Sequence, residues 1–316
     1  MLNLLVNARQ GDKFSIAKLI SLFESSSSGA VDTCVALDKE LGETPRGLLV
    51  GLTGAPGTGK STLIQHLGNV LLEKKPTWRL AVVAVDPSSP VSGGALLGDR
   101  TRVIFHDTER TYFRSQASDL DLGGIGRNTF RVCRFLRHFF DVVLVESVGV
   151  GQSEIEIARL ADVTLLALQP FSGDQIQFMK SGVMEMPQAF IITKCDAEDL
   201  ARKSYHQLRA SLNFLGRIEA LPGEERHIPN IFQTSSLNKT GFEELADFLI
   251  NSKPLSVTEE AKREEYFLKK ELRYFYGEFG VEVMQKEITR TASLLFEERR
   301  QTLLNALDAR WKKYAT

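Results

Sequence analysis

The chain has 316 residues, of which 43% are hydrophobic and 25% charged, with a formal net charge of −1. That length holds one large α/β domain with helical additions, or two domains, and the near-neutral balance argues against a broad nucleic-acid or anionic-membrane footprint. Three distant cysteines (Cys34, Cys133, Cys195) form neither a disulfide framework nor a metal spacing, and neither a signal peptide, a mitochondrial targeting segment nor a membrane-length apolar run is seen, so a soluble cytoplasmic protein is expected.

Residues 1–46 read as a helical extension. Ile16, Leu19, Ile20 and Phe23 recur at helical spacing, a serine run ending in Gly29 breaks the pattern, and a second amphipathic piece covers residues 31–41. Leu48 to Thr53 then form an apolar run expected to be a buried strand. It delivers Gly54-Ala55-Pro56-Gly57-Thr58-Gly59-Lys60-Ser61, followed by Thr62 and an amphipathic helix. Gly-x-x-x-x-Gly-Lys-Ser between a strand and a helix is the phosphate-cradling loop. Its glycines let backbone N–H groups approach phosphate oxygens, Lys60 reaches the β- and γ-phosphates, and the Ser61 hydroxyl suits Mg²⁺. The helix N-terminus adds a positive dipole end.

Pro76 marks a turn, and residues 80–85 form a second buried strand ending in Asp86. An acid at the carboxyl end of a core strand lies where open α/β sheets bind ligands. Residues 97–102, Leu-Gly-Asp-Arg-Thr-Arg, are polar and bring Asp99 and Arg102; Phe113-Arg114-Ser115 and a Leu-Gly-Gly segment at 122–124 precede a helix near 132–139. The next strand, residues 141–146, ends in Glu146, and Glu146-Ser147-Val148-Gly149 gives the acid-x-x-Gly pattern that holds Mg²⁺ and senses a γ-phosphate through a glycine N–H. Gln152 is a candidate for orienting water.

Two more apolar strands cover 163–168 and 189–192. The second delivers Thr193-Lys194-Cys195-Asp196. Asn/Thr-Lys-x-Asp at a strand end reads guanine: the Asp196 carboxylate accepts two N–H groups that adenine does not present, and the Lys194 stem covers the base. A last strand near 231–234 leads to Ser235-Ser236-Leu237, whose backbone suits the base O6, and to a helix from Gly241. Residues 253–316 turn charged and helical. Leu268, Leu272, Phe275 and Phe279 make one stripe and Leu304, Leu307 and Trp311 another; Gly277 and Gly280 between them predict at least two helices. The stripes pack either on the chain's own core or on a second subunit.

Taken together, Gly-x-Pro-Gly-x-Gly-Lys-Ser-Thr at 54–62, Val-Asp-Pro-Ser-Ser-Pro-x-Ser-Gly-Gly at 85–94, Leu-Gly-Asp-Arg-Thr-Arg at 97–102 and Glu-Ser-Val-Gly-Val-Gly-Gln-Ser-Glu at 146–154 resemble the MeaB/ArgK-type P-loop GTPases, metallochaperones of adenosylcobalamin-dependent acyl-CoA mutases. The resemblance runs from about Gly11 through residue 250; the C-terminal arm matches in helical character more than in motif. It implies that Asp86, Asp99 and Glu146 are Mg²⁺ and γ-phosphate switch carboxylates and that Lys194 and Asp196 read guanine. It also implies that residues 173–185, with Asp174, Gln177 and Lys180, signal nucleotide state to the mutase, and that the arm joins homodimers. Thr193 stands where the family usually has Asn.

The expected architecture is an α/β P-loop NTPase: a mostly parallel sheet flanked by helices over 47–252, a helical extension at 1–46 and a helical arm at 253–316. The expected chemistry is GTP plus water to GDP plus phosphate with Mg²⁺, with Lys60, Asp99 and Glu146 central, in a chaperone for a mutase such as methylmalonyl-CoA mutase. A P-loop kinase or ATPase acting on a small molecule or protein, and a nickel-insertion GTPase, are the alternatives; the first needs an acceptor pocket with its own base, the second Cys/His clusters.

Overall fold

The structure, a computed structural model, describes residues 1–316 except 26, 43–45, 87–102, 119–124, 148–152, 171–185, 220–227 and 315–316, and omits the side chains of 153–154, 215–219, 288–289 and 311–314. The described chain forms two compact units, one of Gly47–Gly126 with Phe140–Pro254, the other of Met1–Arg46, Arg127–Phe139 and Leu255–Thr316.

The first unit is built on a seven-stranded sheet, β1 (Leu48–Thr53), β2 (Leu80–Asp86), β3 (Thr111–Ala117), β4 (Val142–Glu146), β5 (Val163–Leu168), β6 (Ala189–Ile192) and β7 (Asn230–Gln233), in the spatial order β3-β2-β4-β1-β5-β6-β7. All pairings are parallel. Continuous burial along β1, β2, β4 and β5 explains their unbroken apolar runs, because helices cover both faces. On one face Leu48, Val50 and Leu52 of β1, Leu80 and Val82 of β2, and Val142 and Leu144 of β4 pack with Leu63, Leu67 and Leu71 of α4 (Lys60–Lys74) and with Phe242, Leu245 and Leu249 of a helix over Phe242–Asn251. On the other face Leu166, Leu168, Phe190 and Ile192 pack with Leu208 and Leu212 of a helix over Glu198–Glu219.

Gly51 permits the close seating of a further helix, Ser153–Leu160: a Cβ there would lie 2.4 Å from Ile157 Cγ2. The chain leaves β1 through α4 for β2 on one side of it and later crosses from β4 to β5 on the other, so the strand order reverses at β1, and the carboxyl end of β1 is the switch point where such sheets bind ligands. β3 was not anticipated as a strand. Its sequence, Thr-Tyr-Phe-Arg-Ser-Gln-Ala, has no apolar run because among the described residues it is a sheet edge, paired with β2 alone and half-buried.

The second unit is helical: α1 (Leu2–Arg9), α2 (Lys13–Glu24), α3 (Ser28–Leu41), α5 (Thr129–Leu136), α9 (Val257–Thr291) and α10 (Phe296–Tyr314), with Ser153–Leu160, Glu198–Glu219 and Phe242–Asn251 of the sheet unit numbered α6 to α8. The sequence reading treats the two chain ends as separate extensions; in the structure both belong to this unit, with α2 packed on α3 and α5, and α3 packed on α10. Asp12 starts α2 by accepting the Ser15 N–H at 2.9 Å. Ser256 and Glu259 start α9 with a reciprocal capping box.

Gly277, at φ +60°, kinks α9, so the expected break is there. The kink also ends the first stripe: Leu268 and Leu272 are buried while Phe275 is 47% exposed. In α10 Leu307 of the second stripe is buried and Leu304 only partly covered, while Phe296, Glu297, Arg300 and Leu303 are buried beside it; the Trp311 side chain lies outside the described residues.

Candidate functional site

The loop leaving β1 takes backbone shapes that side chains disfavour. Gly54, Gly57 and Gly59 lie at φ +144°, +80° and +87°. Gly54 has a second reason: a Cβ there would sit 2.3 Å from the Ala167 carbonyl oxygen of β5. At Gly59 a Cβ meets nothing within 4 Å, so the left-handed backbone alone selects glycine, and it caps α4 without a side chain that could occupy the first-turn N–H groups. Lys60 is buried, and its Nζ donates to the carbonyl oxygens of Gly54 at 2.9 Å and Ala55 at 3.3 Å. Thr58 Oγ1 donates to Ala55 O at 2.9 Å, tightening the same turn. The loop is thus curled around its own lysine.

The acids come from strand parity. Alternate residues share a sheet face, so Asp86 follows Leu80 and Val82, and Glu146 follows Val142 and Leu144, on the face that α4 covers. Register pairs Glu146 with Ala84, which puts Asp86 one pleat further along β2. Ser61 Oγ donates to Glu146 Oε1 at 2.9 Å, so the predicted Mg²⁺ hydroxyl and the predicted switch carboxylate are direct neighbours. Asp86 is 2% exposed and accepts a hydrogen bond from Ser115 Oγ of β3. Ser147 Oγ donates to Thr53 Oγ1 at 2.9 Å, tying the start of the segment after β4 to the end of β1. Asp99, Arg102, Gly149, Gln152, Asp174, Gln177 and Lys180 lie outside the described residues. Among the described residues no group of three or more His, Cys, Asp or Glu forms a metal cluster.

The base side is tied to the loop by hydrogen bonds. Thr193 Oγ1 donates to Thr58 O at 2.7 Å and contacts Leu168 O at 3.1 Å. Lys194, at φ +54°, turns its Nζ onto Gly57 O at 2.8 Å, where Gln169 Nε2 also donates at 2.6 Å. Asp196 accepts from Ser235 Oγ, and Ser235 Oγ itself accepts the Asn238 N–H at 3.0 Å. The turn beyond is closed by Gly241, where a Cβ would fall 1.8 Å from Gln233 O. Burial pushes the Cys195 thiol up to about 11, so it stays protonated and behaves as a small apolar side chain rather than a nucleophile.

These parts enclose a cavity of about 270 Å³ lined by Thr58, Gly59, Thr62, Leu63, Thr193, Lys194, Asp196, Thr234, Ser236 and Leu237. The structure therefore brings Thr58, Gly59 and Thr62 of the loop together with Lys194, Asp196, Ser236 and Leu237 in one pocket. Gly54, Ala55, Pro56, Gly57, Lys60, Ser61, Asp86, Glu146 and Ser235 are not among its walls. Leu237, 80% exposed, adds an apolar side chain to its lining. Sequence reasoning missed Gln169, Ser115 and Asn238. Gln169 follows β5 directly, so the strand-end rule applied to Asp86 and Glu146 would have found it; Ser115 and Asn238 carry no local signal.

The family model for "Methylmalonyl Co-A mutase-associated GTPase MeaB" matches residues 16–276. A putative GTPase of Pyrococcus horikoshii is 39% identical over 212 residues, 66% of this chain and 65% of its own length, so the chain spans just under two thirds of that relative. GTPase ArgK of Escherichia coli is 34% identical over 253 residues, 78% of this chain and 73% of its own length. Among solved structures, one described as a LAO/AO transport system kinase superposes with a TM-score of 0.62 at 22% identity, covering 97% of both chains, a likeness of fold.

Proposed function

The chain belongs to the MeaB family, and from that premise we propose that it hydrolyses GTP to GDP and phosphate and serves an adenosylcobalamin-dependent acyl-CoA mutase as a nucleotide-gated chaperone. The observation that carries the base assignment is the shared pocket: Asp196 and Lys194 line the same cavity as Thr58, Gly59 and Thr62. Thr193 and Lys194 are bonded to the carbonyls of Thr58 and Gly57, so the base-reading loop and the phosphate loop are held at a fixed spacing. That spacing is what a single nucleotide needs. Asp196 accepts two guanine N–H groups that adenine does not present, so a preference for guanine over adenine nucleotides is expected.

The donor set around Ser61 and Glu146 fits Mg²⁺, which takes hard oxygen ligands and retains waters. Ser61, Glu146 and Asp86, with Asp99 from the segment not described, would hold it beside the phosphates. Bound there, it supplies charge neutralisation of the phosphate oxygens. Lys60 binds and orients the β- and γ-phosphates once its ammonium exchanges loop carbonyls for phosphate oxygens. Positioning and charge are the whole of the catalysis offered by these residues, which supports slow intrinsic turnover accelerated by a partner that orders the switch segments. In this reading the mutase senses the nucleotide state during cofactor loading and protection, and the C-terminal helices join two subunits.

Phosphate release from GTP and from ATP, each with and without purified methylmalonyl-CoA mutase, tests the proposal. GTP-selective hydrolysis that rises with the mutase is expected, and Asp196→Ala should abolish the preference for GTP. Equal turnover of ATP with no response to the mutase overturns it.

A further inference from the structure

Asp86 ends β2 with a carboxylate that is 2% exposed. A carboxylate so far from water is costly unless hydrogen bonds and a cation offset its desolvation. Its orientation is set by the neighbouring edge strand. β2 and β3 run parallel with Ala84 opposite Ser115 and Asp86 opposite Ala117, so Ser115 lies diagonally behind Asp86 on the same face. From there Ser115 Oγ donates to Asp86 Oδ2. The ladder is continued by the Ser118 N–H, which donates to Asp86 O at 2.8 Å, so the backbone on both sides of the pair is fixed as well. Phe113, two residues before Ser115, packs on the core beneath α4, which anchors this face of β3 against the rest of the sheet. The arrangement is asymmetric along the sheet: Glu146 meets the loop directly through Ser61, whereas Asp86 is backed by a hydroxyl from the strand behind it.

We propose that Ser115 is a positioning residue for the cation of the nucleotide–Mg²⁺ complex: its hydroxyl fixes the plane of the Asp86 carboxylate on the face that carries Ser61 and Glu146. The inference rests on the nucleotide reading given above. An unsupported aspartate at a strand end turns about its side-chain bonds, and a hydroxyl on one oxygen restricts that rotation and directs the carboxylate toward the carboxyl edge of the sheet. Hydrogen-bonding partners behind a metal-holding carboxylate change metal affinity by about 10–100-fold when removed.

The test is binding of a fluorescent, non-hydrolysable GTP analogue with free Mg²⁺ titrated, alongside binding in EDTA. Ser115→Ala should raise the Mg²⁺ concentration at half-maximal effect by about 10-fold, while affinity in EDTA stays within about twofold of wild type. Ser115→Thr keeps the hydroxyl and should restore the wild-type midpoint; Asp86→Asn should shift it at least as far as Ser115→Ala. Ser115→Cys, similar in volume and a weaker donor, carries the same expectation as alanine should the alanine variant not fold. A shift in Asp86→Asn with none in Ser115→Ala or Ser115→Cys overturns the role of Ser115 and leaves the nucleotide reading standing. Unshifted midpoints in all variants overturn the proposal at Asp86 itself. A wild-type chain that does not bind the analogue overturns the nucleotide reading, and this proposal with it.

Discussion

The two units of this molecule solve burial in opposite ways. Under α4 and α8 the sheet unit is apolar, with Val50, Val82, Leu144 and Leu165 at most 1% exposed, and its buried Lys60, Asp86 and Glu146 sit at the carboxyl ends of the strands or in the loop after β1. The helical unit buries charge. α5 is covered on every side, and from it Arg131 makes a two-pronged pair with Glu297 of α10, with Nε–Oε1 and Nη2–Oε2 both 2.8 Å. Arg134 pairs with Asp38 of α3 and, at 2.8 Å, with Glu264 of α9. Arg137 reaches Glu260 at 2.9 Å, which also holds Arg263. Arg300 binds Glu271 at 2.7 Å. Apolar contacts tolerate small shifts because their attraction has no direction. Buried pairs offset their desolvation only when every partner is in place, so they favour one arrangement of helices over its neighbours.

The difference is broken most sharply at Glu297. Glu297→Ala leaves the Arg131 guanidinium buried without its carboxylate, although Phe23 O still accepts from Nη1 at 2.6 Å. A loss of about 3–5 kcal/mol is expected, read as lost hydrogen-exchange protection in α3, α5 and α10. The double change Arg131→Met with Glu297→Leu should recover most of it, since an apolar pair of similar volume removes both charges at once. In the sheet unit, Leu144→Ala should cost about 3 kcal/mol through lost burial and the cavity left behind, read as lost protection in β1 and β4. There no second-site substitution of charge would help. If Glu297→Ala proves milder than Leu144→Ala, the charged interior is not what holds the helices in register.

The same contrast explains what the sequence could reveal. Strands β1, β2, β4 and β5 were legible because burial on both faces demands unbroken apolar runs, and the loop after β1 was legible because three of its glycines sit at positive φ. Lys194 and Asp196 were legible from their place after a core strand, and the pocket they share with Thr58 and Thr62 follows from the parallel register of β5 and β6. The interior of the helical unit was not legible. Arginines at 131, 134 and 137, spaced by three, carry no sign of burial in the sequence, and only their partners from distant segments make them core. Ser115 was hidden for a related reason: its partner lies 29 positions away, across a strand pair whose edge member has no apolar signature.

His138 offers the finest test of how the charged interior works. It follows α5 in the helical unit, and its Nε2 is buried with no hydrogen-bond partner among the described residues. Burial, then the neighbouring guanidiniums of Arg134 and Arg137 and that of Arg9, push its imidazolium down to about 3, from an ordinary value of 6.5. The folded chain therefore keeps His138 neutral where the unfolded chain protonates it. Its contribution is fully present above about pH 6.5 and is lost as the pH falls toward about 3, at up to about 1.4 kcal/mol per pH unit. By pH 5 the loss reaches about 2 kcal/mol. His138→Phe removes the titrating ring while keeping an apolar one of similar shape. The gap in urea stability between this variant and wild type should be small at pH 7.5 and widen steadily in the variant's favour down to pH 4.5; carboxylates titrate in both proteins and cancel in the difference. A gap that stays flat would mean that the arginines around His138 relax enough to admit another positive charge, and that the helical core is less rigidly ordered than its ion pairs imply.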